Sequence, residues 1–341
     1  MNDIGQRKRD HIGIVLSGAA QHDRPAGFDD FGFVHNALPE IDCDAVDLGT
    51  KFLGHALKLP YLASSMTGGP AISETINAAI AESAEELGFA IAVGSQRIAL
   101  TTNDSHGIDA SLRKRAPSVP IFANLGAVQF VHGMGVDDAK RAVEMIGANA
   151  LILHLNPLQE ALQEGGDRDW RGVRRAIEQI AKSLSVPVIA KEVGSGISVR
   201  VAKSLIASGV TAIDMAGAGG TSWAAVEGQR ASDDQAQSLG EIFRNWGIPT
   251  ARGIADLRTA FPDLPLIASG GIRHGLDGAK AIRLGADLVG QAAALLSPAT
   301  QGTDAVITHV KNWAEALRIA CFATGSKDLA ALKSAEIEAQ I

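Results

Sequence analysis

Short apolar runs of six to eight residues recur along the chain, and most are followed by a stretch whose apolar positions come every three or four residues. The runs cover 59–66, 89–95, 120–126, 150–156, 187–193, 212–217, 265–271 and 288–293. Amphipathic segments at 72–87, 137–147, 171–184, 198–208 and 276–284 lie between them. A strand that is apolar at consecutive positions is buried on both faces, which is the signature of a parallel sheet covered by crossover helices. Eight such units predict a single closed (β/α)8 TIM barrel, an α/β fold, in preference to an open doubly wound sheet. The second unit is the weakest, since its helix must come from 106–116. Two segments lie outside the repeat. Residues 1–58 are expected as an N-terminal extension packing on a barrel of residues 59–341. Residues 221–250 read as a long polar insertion after strand six, on the side where insertions cover a barrel's site.

Composition narrows the function classes. Hydrophobic content of 46% against 20% charged residues allows a sizeable core. The net charge of −7 argues against a nucleic-acid-coating protein, so any phosphate site must be local. Cys43 and Cys321 have no metal-ligand spacing and offer no disulfide framework. The basic start lacks the apolar stretch of a signal peptide, and no run approaches a membrane span, so a cytoplasmic location without membrane contact is expected. The 37 glycines gather after the apolar runs, where a backbone turns sharply or approaches a ligand.

Barrel active sites form at the C-terminal ends of the strands. Those ends read Ser65, Met66 and Thr67; Ser95, Gln96 and Arg97; Asn124; His154 and Asn156; Lys191; Thr221; Gly270 to Arg273; and Ala292 and Ala293. In "ASGGIRHGLDGAKAIRLGADLVGQAA" (268–293) two glycines close strand seven, Arg273 adds charge, and a helix begins near Leu276. Backbone N–H groups and the positive end of that helix predict a phosphate site. Lys191, inside an apolar run, needs an anionic partner or a lowered pKa. An ion pair with Glu192 is disfavoured, because adjacent strand residues point to opposite faces. Lys191 is then either a Schiff-base lysine or a contact for the pyrimidine edge of a flavin, and Asn124 and Thr67 favour the flavin. "MAGAGGTSW" (215–223) forms a glycine nest with Thr221 at its exit, and Trp223 is placed to cover an apolar substrate.

The motifs "RKRDHI", "SSMTGGP", "GSQR", "ANLGA", "LHLNPLQE", "KEVGSG", "GAGGTSWAAVE" and "SGGIRHGLDGAKAIRLGAD" together resemble the type 2, FMN-dependent isopentenyl-diphosphate isomerases, from about residue 5 to residue 296. The glycine-rich phosphate segment is shared by many flavin barrels; "LHLNPLQE" and the Arg-Lys pair are more specific. The resemblance implies flavin contacts from Ser65, Met66, Thr67, Ser95, Asn124, Lys191, Thr221, Gly271, Ile272, Arg273, Ala292 and Ala293. It implies that Arg7, Lys8, His11, Ser95, Arg97 and His154 meet the substrate diphosphate, and Gln96 and Asn156 are expected as further substrate contacts. Strand alternation aims Asn156 into the same mouth as His154, and Pro157 then breaks the strand, so that Gln159 and Glu160 are expected on the loop above. Gln159 would face the isoprenoid end, with Gln159 and His154 as the candidate catalytic residues, and Glu160 would bind magnesium. Reduction of FMN by NADPH and assembly into homotetramers or octamers are further implications. The family often carries Ser where this chain has Ala216.

The implied reaction moves a double bond between isopentenyl and dimethylallyl diphosphate. Protonating an unactivated alkene needs a strong acid and a stabilised cation, and a reduced flavin can answer both needs. The alternative is an FMN-dependent α-hydroxy-acid oxidase, which shares the phosphate segment but needs a histidine base after strand six. Here that place reads "GAGGTSW". Neither cysteine sits in a strand-end loop, so a covalent thiol mechanism has no support.

Overall fold

A computed structural model describes residues 4–65, 72–102, 105 and 107–340. Eight parallel strands close into a barrel: β1 (Tyr61–Ala63), β2 (Ala90–Ala92), β3 (Ile121–Gly126), β4 (Ala150–His154), β5 (Val188–Lys191), β6 (Ala212–Asp214), β7 (Leu266–Ser269) and β8 (Leu288–Gln291). Every strand pairs with its sequence neighbours, and β8 pairs with β1 to complete the ring. The expected (β/α)8 fold is therefore the observed one.

The strands are apolar at consecutive positions because each face meets a different core. Outward residues such as Tyr61, Ile91, Ile121, Leu151, Leu153, Ile213, Leu266 and Val289 pack under the helices. Inward residues Leu62, Ala92, Phe122, Ile152, Ile189, Ala212, Ile267 and Leu288 form a separate cluster in the lumen. A two-stranded hairpin, Thr50–Phe52 with His55–Leu57, adds Phe52 and Leu57 to that cluster. The floor of the barrel is thus sealed.

Side chains alternate along a strand, so two residues further on each strand offers its next inward position. These are Ser64, Gly94, Asn124, His154, Lys191, Asp214, Ser269 and Gly290. An apolar plug is followed by a layer of polar groups and glycines. This step carries the site.

Several elements differ from expectation. The second unit's helix, Ala110–Arg115, falls within the expected 106–116, but a further short helix, Arg97–Thr101, precedes it. The insertion 221–250 is less polar inside than its sequence reads: helices Trp223–Arg230 and Asp234–Ile242 pack together, and Ala224 to Gly228 are buried, with Ala225 and Val226 clustered against Ala20. Beyond the eighth strand a 21-residue helix, Thr303–Ala323, runs against the helices before it. A terminal strand, Ile337–Ala339, pairs antiparallel with Phe31–Phe33. The N-terminal helix Ile4–Ser17 lies against helix Trp223–Arg230.

Candidate functional site

A cavity of about 540 Å3 opens above the polar layer, and residues from the C-terminal parts of all eight strands, or just beyond them, line it. Of the residues singled out from the sequence, Ser65, Ser95, Asn124, His154, Gln159, Lys191, Thr221, Gly271, Ile272, Arg273, Ala292, Ala293 and His11 face this space. Met66 and Thr67 lie outside the described residues. Arg7 and Lys8 fall within helix Ile4–Ser17, but their side chains also lie outside what is described.

One wall of the cavity is an anion cradle. Gly270 and Gly271 have φ of 96° and 70°, and a Cβ on Gly271 would stand 2.5 Å from the carbonyl oxygen of Gly219. Only glycine fits there, on both conformational and steric grounds. The N–H groups of Gly271 and Ile272 donate to no acceptor among the described residues. The hydroxyls of Ser64, Ser65 and Thr221 are also buried without a partner there. Buried donors are normally satisfied, so this set fits a ligand rich in acceptor oxygens. Arg273 stands at the rim, 3.4 Å from both Asp29 and Asp277. The adjoining helix Gly275–Arg283 is capped by His274, which accepts from Asp277 N–H.

On β5, two strands along the ring from the cradle, Lys191 is the buried cation of the polar layer. Its Nζ donates to the carbonyl of Glu192 at 2.7 Å and lies 3.9 Å from Oδ2 of Asp214, which the strand register places beside it. The Glu192 carboxylate turns away, as alternation requires, and accepts from the backbone N–H groups of Val193, Gly194, Ser195 and Gly196. That carboxylate shapes the loop after β5. Asp214 accepts from Ser269 Oγ at 2.6 Å. Burial pushes its carboxyl above the usual range, against the pull of Lys191.

Two imidazoles that line the cavity are held by different means. His154 Nδ1 lies 2.8 Å from Asn124 Oδ1, and Asn124 Nδ2 donates to Val93 O at 3.1 Å. The second bond fixes the amide's orientation, so Nδ1 carries the imidazole proton. His11 Nε2 lies 3.0 Å from Glu227 Oε1, and its ring meets Trp223 edge-on at 5.0 Å. Gln159 Nε2 donates to the same Glu227 oxygen at 2.9 Å, and Arg230 donates to the other at 2.8 Å. Burial raises the Glu227 carboxyl, but the bonds from His11 and Gln159 and the charge of Arg230 together outweigh it and hold it below the usual range.

Four expected residues do not face the cavity. Gln96 is fully buried; its Nε2 donates to Ala142 O and its Oε1 accepts from Asn124 N–H, so it is a structural tie. Arg97 lies 3.9 Å from Asp167 in a half-exposed ion pair. Strand alternation was expected to aim Asn156 into the mouth beside His154, but β4 ends at His154 and Asn156 caps a short helix, Pro157–Leu162. Its Nδ2 donates to Gln159 and Glu160. Glu160 lies on that helix, not a loop, and is 8% exposed. Its carboxylate accepts from Asn156 Nδ2 at 2.9 Å and Asp167 N–H at 2.8 Å. That carboxylate is therefore anchored both within its helix and by the chain that follows. No three His, Cys, Asp or Glu side chains converge on a metal position among the described residues.

The sequence reading missed Glu227, Asp214 and Gln291. Each is a lone polar residue inside an apolar run, "WAAVEG", "AIDMAG" and "LVGQAA". The same signal singled out Lys191.

The model of the FMN-dependent dehydrogenase family matches residues 134–339. An isopentenyl-diphosphate delta-isomerase of Xanthobacter autotrophicus is 58% identical over 96% of this chain and 96% of its own. That of Stutzerimonas stutzeri is 57% identical over 97% and 96%, and that of Synechocystis is 47% identical over 97% and 95%. Among solved structures, a mandelate oxidase variant overlays with a TM-score of 0.68 at 16% identity, covering 99% of this chain and 100% of its own. A flavocytochrome b2 variant overlays at 0.69 and 17%, covering 96% and 82%. Those structures share the fold. With identity above one half along nearly the whole length of both chains, and a family match over the barrel's second half, the chain belongs to the isopentenyl-diphosphate delta-isomerases, on the scaffold of the FMN-dependent dehydrogenases.

Proposed function

We propose that this chain interconverts isopentenyl and dimethylallyl diphosphate, an isomerisation in isoprenoid biosynthesis, with reduced FMN held in the cavity. The observation that carries the reading is the pairing, in one cavity, of an anion cradle after β7 with a buried cation on β5 and the polar side chains of His11, His154 and Gln159. Gly271, Ile272 and Arg273, with Ala292 and Ala293, are the proposed phosphate contacts, and Ser65, Ser95, Asn124, Lys191 and Thr221 the proposed ring contacts. When bound, reduced FMN supplies the proton and the electron-rich surface that an alkene protonation needs.

The chain's own residues do the rest. Lys191 puts a fixed positive charge next to the flavin site. His154, with its proton on Nδ1, and His11 take the diphosphate end, and Arg7 and Lys8 join them in this proposal. Gln159 sits between Asn156 and Glu227, so its amide has one orientation; it faces the alkene and orients it. Trp223 beside His11 excludes water from the mouth, which strengthens every charge interaction inside it. The loop 215–221 contributes no ionisable side chain. An oxidase that removes a proton from a hydroxy acid there would have no base. Glu160 would supply one carboxylate oxygen to the magnesium that the diphosphate brings, NADPH would be the external reductant, and a cytoplasmic homotetramer or octamer the working form.

The test is an anaerobic assay of the purified chain with isopentenyl diphosphate, with and without dithionite, following products by proton NMR. Dimethylallyl diphosphate should form only with the flavin reduced. Full turnover with the flavin kept oxidised would refute the role of reduced FMN, and turnover of a 2-hydroxy acid without isomerisation would favour the oxidase alternative.

A further inference from the structure

Strand β8 ends in a residue that the proposed ligand contacts do not use. Gln291 lines the cavity but is only 2% exposed. Its Nε2 donates to two carbonyls, Ile272 O and Arg273 O, each at 3.0 Å. Its Oε1 accepts from the Tyr61 hydroxyl at 2.9 Å and lies 2.8 Å from His309 Nε2. Two carbonyls facing one end of the amide fix which end is nitrogen. With the oxygen so placed, His309 can approach only with its proton on Nε2. Burial holds that imidazole below its usual pKa, so it donates as a neutral ring.

The consequence falls on the anion cradle. The peptide unit joining Ile272 and Arg273 is held at both ends, its carbonyl by Gln291 and its N–H by Asp277 Oδ2 at 3.0 Å. A planar peptide held at both ends cannot rotate. It follows two glycines, the residues with the widest backbone freedom. Clamping this unit one residue beyond them, while the Gly270 carbonyl accepts from Thr250 Oγ1 at 2.7 Å on the other side, limits the directions open to the N–H groups of Gly271 and Ile272. Donors aimed in advance bind an anion without first being ordered.

We propose that Gln291 is the positioning residue of the anion cradle. Tyr61 and His309 hold it in turn, so the grip on a ligand's phosphate depends on helix Thr303–Ala323. The inference rests on the reading of the cavity as an FMN site, and it predicts a defect confined to the phosphate half of the ligand.

The experiment measures dissociation constants of FMN and riboflavin for the flavin-free full-length chain, by quenching of flavin fluorescence. The chains are the wild type, Gln291→Met, His309→Leu and His309→Gln. Gln291→Met should weaken FMN by about tenfold, the scale of losing preorganised hydrogen bonds to an anion, while riboflavin changes by less than about threefold. His309→Leu should lower the preference for FMN over riboflavin by less, and His309→Gln, which keeps a donor for Oε1, should restore it. An unchanged preference in Gln291→Met, or equal losses for both flavins, overturns the inference. If Gln291→Met does not fold, equal preferences in His309→Leu and His309→Gln overturn it. A wild-type chain that binds both flavins equally removes the FMN reading itself, and this inference with it.

Discussion

Replacing Lys191 by Met removes the buried cation of the polar layer and leaves Asp214 behind. The two charges lie 3.9 Å apart, with side chains 9% and 0% exposed. At an effective dielectric near 20 their attraction is about 4 kcal/mol. The variant has two ways to respond. It can keep a buried, uncompensated carboxylate, at about 3–5 kcal/mol. It can instead protonate Asp214, which from a solution pKa near 3.9 costs about 4 kcal/mol at pH 7 but only about 1.5 kcal/mol at pH 5. The cheaper route governs, so the deficit must depend on pH. In the variant the folded-state pKa of Asp214 is raised, so its stability relative to wild type is highest near pH 4 and falls as pH rises toward 7. At about 2 °C per kcal/mol for a chain of this size, Tm should drop by about 6–8 °C at pH 7 and about 3 °C at pH 5. Lys191→Met with Asp214→Asn removes the charge to be neutralised and should recover more than half of the loss at pH 7. The assay is circular-dichroism melting of flavin-free wild type, single and double variants at both pH values. A drop of the same size at both, or a double variant no more stable than the single one, would refute the assignment of Asp214 as the counter-charge.

Other perturbations separate packing from chemistry. Glu227→Gln takes the charge from the shared acceptor of His11 and Gln159 and should lower kcat by about 10–100-fold, the range for a hydrogen bond to a charged group; steady-state kinetics of the reduced enzyme check it, and an unchanged kcat would leave Glu227 a structural residue. A Cβ on Gly126 would lie 3.0 Å from His154 Nε2, and its backbone is ordinary extended chain, so Gly126→Ala should displace the imidazole and raise KM for the diphosphate several-fold with Tm nearly constant. Glu160→Gln sets an amide NH2 against one of two donors, Asn156 Nδ2 or Asp167 N–H, and should cost about 1–3 kcal/mol in thermal stability; it should also lower the apparent magnesium affinity, with excess magnesium giving partial rescue of activity. A magnesium titration identical to that of the wild type would refute Glu160 as a metal ligand.

The eight apolar runs and their helices were legible because burial on both faces leaves a continuous signal that local sequence carries by itself. The phosphate segment was legible for a similar reason: Gly270 and Gly271 are adjacent, and their positive φ is a local demand on residue type. The same continuity concealed which face of each strand points inward, since an apolar residue suits either core. Only closure of the barrel decided that Asn124, His154, Lys191 and Asp214 share one inward layer, whereas Gln291, one residue beyond the inward Gly290, meets Tyr61 and His309 among the outer elements. Asn156 shows the limit of alternation as a guide: it holds while the ladder lasts, and the ladder stops at His154, after which a proline-led helix sets the direction of Gln159 and Glu160. Glu227 shows the other limit. Its partners His11 and Gln159 lie 216 and 68 residues away, and hydrogen bonds over such distances exist only once packing has brought helices Ile4–Ser17, Pro157–Leu162 and Trp223–Arg230 together. The sequence determined the scaffold and the cradle, whose requirements are local; the tertiary structure decided the charge partners, because a buried charge is satisfied by whatever the fold sets beside it.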